Sequence, residues 1–146
     1  MIEKLKKSQG WETRLNAVVM RYYFLPYEST TNGCFIFMDD VFEALCGESP
    51  IREWRDKVPA DKKEAWELYK KHAETDSREK LFQWFEPVRS YKMAQRGDVG
   101  IMTASDGTES FGVVSMNGRD FLIRAEDRDH LVSVKLGENI RLWRAA

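Results

Sequence analysis

Apolar residues recur at helical spacing twice in the first third of the chain. Trp11, Leu15, Val18 and Tyr22 fall on one face of a helix expected over about residues 11 to 23, which Pro26 stops. A second helix is predicted from Cys34 to Cys46. It follows the turn Thr30-Thr31-Asn32-Gly33 and is capped at its end by Gly47. Its predicted buried face is Cys34, Phe37, Met38, Val41 and Leu45, with Asp39, Asp40 and Glu43 expected toward solvent. Three shorter helical stretches follow. One starts at Pro50 and runs through Trp54. The next is capped by Asp61 and carries Ala65, Leu68, Tyr69 and His72, and the third spans about Ser77 to Phe85.

The pattern changes near residue 96. After the turn Gln95-Arg96-Gly97-Asp98 come short β-branched runs: Val99 to Thr103, Phe111 to Met116, Asp120 to Ala125, Leu131 to Leu136, and Asn139 to Trp143. Asp106-Gly107, Asn117-Gly118 and Gly137-Glu138 read as tight turns, and Asn-Gly is the strongest hairpin signal among them. The expectation is an α+β fold in a single domain over residues 1–146. Residues 1–95 are mostly helical and pack on an antiparallel meander of about five strands in residues 96–146.

Composition narrows the function classes. The 146 residues carry 23 Lys plus Arg against 24 Asp plus Glu, a net charge of −1, which gives no reason to expect nucleic acid or an anionic membrane as partner. No run of about 18 apolar residues is present. The start lacks the apolar stretch of a signal peptide, so cytosolic synthesis is expected. The only histidines, His72 and His130, lie in separate segments without ligand spacing, so no metal or other cofactor is expected. Cys34 and Cys46 sit at opposite ends of one helix, roughly 18 Å apart at 1.5 Å rise per residue, too far to pair.

Cys34 is the candidate nucleophile. A cysteine at a helix start feels the positive end of the macrodipole, which favours the thiolate. Cysteine also packs as a small hydrophobe, and that structural role is the stronger expectation. His72 reads as a surface residue near a helix end, and His130 as an exposed turn residue.

Several patches together resemble the papain-like NlpC-type cell-wall peptidases, and more closely an uncharacterised phage and prophage family related to them. They are Trp11-Glu12-Thr13-Arg14-Leu15, Asn32-Gly33-Cys34-Phe35-Ile36-Phe37 with Asp40-Val41 and Leu45-Cys46-Gly47, Arg52-Glu53-Trp54-Arg55, Ala94-Gln95-Arg96-Gly97-Asp98-Val99, Phe111-Gly112-Val113-Val114, and Ile140-Arg141-Leu142-Trp143-Arg144. The resemblance implies a papain-like fold with Cys34 at the nucleophile position. It places Ser110 where the peptidases have the histidine base, and Arg124 where they have a third polar residue. Gly33 replaces the aspartate that often precedes the cysteine. Serine has no suitable pKa for a base, and arginine stays protonated. His130 is the remaining substitute base. The implied function is a catalytically degenerate phage protein, a virion or tail component or an assembly factor. It would be made in the host cytoplasm, carried into the virion, and partnered by other phage structural proteins in an assembly that accommodates oligomers. The alternative is an active cysteine hydrolase, a cell-wall peptidase or amidase using Cys34. Trp54, Trp66, Trp84 and Phe85 are aromatics suited either to a partner interface or to the groove between helices and sheet.

Overall fold

The computed structural model describes residues 3–28, 33–57, 78–125 and 128–146, together with Glu64, Glu67, Lys70 and Lys71. Of the helix expected after Asp61, Glu64, Glu67, Lys70 and Lys71 are described and are helical, while Asp61, Trp66 and His72 lie outside the described residues. Two α-helices are described along their whole length, α1 (Trp11–Tyr22) and α2 (Cys34–Cys46), and six strands follow: β1 (Glu86–Val88), β2 (Val99–Thr103), β3 (Glu109–Val114), β4 (Asp120–Ile123), β5 (Val132–Lys135) and β6 (Ile140–Arg144). Three 3-10 helices connect them: η1 (Arg52–Lys57), η2 (Arg78–Phe82) and η3 (Tyr91–Met93). The fold is α+β with one antiparallel open sheet.

Strand order is β1-β6-β2-β3-β4-β5. The hairpins β2–β3, β3–β4 and β4–β5 form the expected meander. The last strand does not extend it. After β5 the chain returns to the other side of the sheet, where β6 pairs antiparallel with β2 and with β1. The helix expected over Ser77 to Phe85 is, in its described part, the shorter η2 followed by β1. Leu81, Phe82 and Phe85 still supply core, as their apolar spacing implied.

Side chains alternate cleanly across the sheet, as strand geometry requires. Val99, Ile101, Phe111, Val113 and Leu122 face the helices and join Leu15, Phe37, Met38, Val41 and Phe42 in the main core. Val114, Phe121, Ile123, Ile140 and Leu142 face the other way and form a second, smaller cluster with Val88 and Met102. Both faces of the sheet therefore bury apolar side chains. The helix α2 packs on β3 and against α1. It is central, with Ile36 to Phe42, Ala44 and Leu45 all buried.

A strap at the start of the chain closes the molecule. The Leu5 N–H donates to Trp84 O at 2.8 Å, the Lys7 N–H to Ala146 O at 2.7 Å, and the Ser8 N–H to Leu45 O at 2.9 Å. The Ala146 N–H returns a bond to Leu5 O at 3.3 Å.

Candidate functional site

Cys34 begins α2 directly after Gly33, whose backbone is extended (φ −67°, ψ −179°), and no side chain caps the helix start. The thiol is half-buried at the margin of the main core, and neither cysteine is in a disulfide. One position on, Phe35 stacks on Trp54 with ring centroids 5.9 Å apart. One turn on, Phe37 meets the edge of Tyr22 at 4.9 Å. The thiol thus stands at the positive end of a well-packed helix, the placement its sequence context implied.

The sheet positions named in the sequence divide between the two faces. Ser110 pairs with Met102 across β2–β3. Met102 packs on the second cluster, and cross-strand partners share a face, so Ser110 points away from α2. On the side of β3 that faces α2 stand Glu109, Phe111 and Val113. Glu109 is held by Arg78 at 3.1 Å and by Arg141 at 2.5 Å. Phe111 packs against Phe82 at 5.9 Å.

Arg124, just past β4, lies on the helix side. It is only 2% exposed, and its guanidinium sits over the rings of Tyr22 at 5.6 Å and Tyr27 at 5.5 Å. Burial lowers its pKa, opposed by Tyr22 and Tyr27. His130 is exposed in the β4–β5 connection. That connection folds back onto the end of α1, where the Leu131 N–H donates to Tyr23 O at 3.2 Å.

The thiol helix itself carries a charged cluster whose burial its sequence pattern does not predict. Asp39 and Asp40, expected toward solvent, are 0% and 9% exposed; only Glu43 is exposed as expected. The reason is that α2 is apolar nearly all round and sits between α1, the sheet and η1, so it has almost no solvent face to give them. Buried carboxylates need compensation, and three arginines supply it. Arg55 bonds Asp39 at 2.8 Å and Asp40 at 2.5 Å. Arg52 meets Asp39 at 2.9 Å and Glu43 at 2.5 Å, and Arg21 meets Asp40 at 2.9 Å. The Tyr22 hydroxyl donates to Asp40 at 2.5 Å.

Burial pushes the Asp40 carboxyl up, but hydrogen bonds from Arg55 and Tyr22 outweigh it and hold the pKa below the usual range. Burial, then the bond to Asp40, raises Tyr22. One oxygen of Asp39, Oδ1, is buried without a hydrogen bond among the described residues. Asp40, Glu43 and the three arginines, but not Asp39, border a cleft of ≈ 530 Å³ between α1, α2 and η1. The sequence carried a signal for this cluster: two adjacent aspartates within an apolar helix, then Arg52 and Arg55 three apart beyond a proline.

The triplet Arg96-Gly97-Asp98 is a turn into β2. Gly97 adopts φ 86°. Asp98 is fully buried and accepts the Gln95 N–H at 2.9 Å. Arg96 extends over Trp11 at 6.0 Å and meets Glu12 at 3.2 Å.

Among the described residues, no three His, Cys, Asp or Glu side chains are grouped to hold a metal ion. None of the described helices is long and apolar enough to cross a membrane. Comparison with curated proteins finds no significant match. One family, described as Domain of unknown function (DUF6950), matches residues 6–145. With nearly its whole length covered, through the thiol helix, the arginine-bound aspartates and the closing strand, the chain belongs to the DUF6950 family.

Proposed function

We propose that the chain is a papain-like, NlpC-type domain that no longer hydrolyses peptides. In this reading it serves a bacteriophage as a virion or tail component or as an assembly factor. The element order supports it: a cysteine-led helix packed on an antiparallel sheet that follows it in the chain. The observation that carries the loss of catalysis is the occupancy of β3. Its α2-facing side presents Phe111 and Val113 and an arginine-bound Glu109, while Ser110 faces away. An amide leaving group must be protonated by a positioned acid, and neither phenylalanine nor valine transfers protons. The phage role rests on the sequence resemblance.

Two measurements test the reading. Purified peptidoglycan incubated with the protein should release no new amino groups, and Cys34→Ala should behave identically. Release that disappears in Cys34→Ala would replace this reading with the cysteine hydrolase. Mass spectrometry of purified particles and of assembly intermediates should find the protein in one or the other. Absence from both would remove the structural role.

A further inference from the structure

On the sheet face away from α2, a groove of ≈ 470 Å³ runs between β1, the segment leading through η3, and β6. Val88, Ile140 and Leu142 line its apolar side, and all three belong to or pack on the second cluster. Arg89 and Lys92 line its wall; both are exposed, and neither has an ion pair among the described residues. The neighbouring Arg141 differs, since Glu79 and Glu109 engage it. Glu138 is the carboxylate on the lining. Along its inner edge β1 pairs with β6, and its outer edge is the margin of the sheet. Pro87 within β1 lacks an N–H, so an added strand would gain little from backbone bonds there. Affinity at this groove must come from side chains.

We propose that the groove binds an acidic, extended segment of a partner protein. Its apolar side chain would rest on Val88, the half-buried member of that side, and its carboxylates would meet Arg89 and Lys92. The charge pattern selects this occupant. Two uncompensated cations on one wall repel a basic segment. A purely apolar one would strip water from both cations without return. The inference is independent of Cys34 and of whether hydrolysis is lost, because the groove lies on the opposite face.

The test is fluorescence anisotropy with labelled eight-residue peptides on the intact protein. A peptide alternating Glu and Leu should bind saturably, and its affinity should fall as salt screens the contacts. The Lys and Leu counterpart and an all-Glu peptide should both bind more weakly. The double variant Arg89→Glu with Lys92→Glu should weaken the Glu and Leu peptide roughly tenfold or more. Both residues are exposed, and an unchanged melting temperature confirms the fold; Arg89→Gln with Lys92→Gln, expected to give an intermediate loss, serves if the reversal perturbs it. Equal binding of the basic peptide, unchanged binding by the double variants, or no saturation up to about 1 mM would each overturn the proposal.

Discussion

Arg144 grips Asp98 with two parallel hydrogen bonds, Nε to Oδ1 at 2.7 Å and Nη2 to Oδ2 at 2.8 Å. The two residues lie 46 positions apart and join the start of β2 to the end of β6. Arg144 also reaches Met93 O at 2.9 Å, so one guanidinium ties three segments. Removing it takes both guanidinium bonds from a fully buried carboxylate and leaves only the Gln95 N–H bond and the charge of Lys7 to compensate it. Arg144→Ala should therefore destabilise by about 3 kcal/mol or more in a urea titration. A loss below about 1 kcal/mol would show that water reaches Asp98 on mutation.

The Asp40 cluster predicts a specific acid limb. The folded-state pKa of Asp40 is depressed, so its contribution is present above the unfolded value and lost as pH falls through the folded one. Stability should decline below about pH 4, and Asp40→Asn should flatten that decline while lowering stability at neutral pH. Thermal melts of both proteins from acid to neutral pH measure the difference. Identical acid slopes would discard the assignment.

Tyr22→Phe removes the hydroxyl donor to Asp40 but keeps the ring contacts with Phe37. A loss of about 1.5–3 kcal/mol is expected, as for a buried hydrogen bond to a charged group. Circular dichroism should be unchanged, and a larger loss with altered near-ultraviolet signal would mean the ring itself had moved.

The two thiols should separate by reactivity. Burial pushes Cys46 up to about 11, with Glu48 adding to the shift. Cys34 stands at a helix start instead. Iodoacetamide near pH 8 should label Cys34 first, and Cys34→Ser should abolish the fast phase. Peptide mapping showing Cys46 labelled first would reverse the assignment.

Gly97 and Gly107 offer a matched pair. Both hold positive φ, 86° and 88°. A Cβ on Gly97 would come within 2.8 Å of the Trp11 ring, whereas one on Gly107 would meet nothing within 4 Å. Gly107→Ala should cost about 1 kcal/mol from backbone strain alone, and Gly97→Ala clearly more. Equal losses in denaturant titrations would mean Trp11 yields without cost.

Local chemistry was readable and distant pairing was not. The span Cys34 to Cys46 and its Gly47 cap follow from periodicity and a terminal glycine, and both stand as expected. So does Val99 to Thr103. The β6 strand was recognisable as a strand, but its neighbours were not. Adjacency in sequence favours pairing with β5, while packing against η2, where Trp143 stacks on Phe82 at 4.6 Å, takes it beside β2. β1 is three residues with a central proline, too short and too weak a pattern to signal a strand. At the candidate site, the position of Cys34 was legible. The face of Ser110 was not, because it depends on register. The burial of Asp39 and Asp40 was hidden because a helical wheel assumes that one side of the helix sees water.

The strap that links Leu5 and Lys7 to Ala146 has a kinetic consequence. These bonds close a loop spanning nearly the entire described chain, so their entropic cost of closure is prohibitive until the residues between have assembled. The strap is a final seal on the fold. Its amides should be the last to gain protection from hydrogen exchange during refolding, and among the first to lose it when the protein breathes.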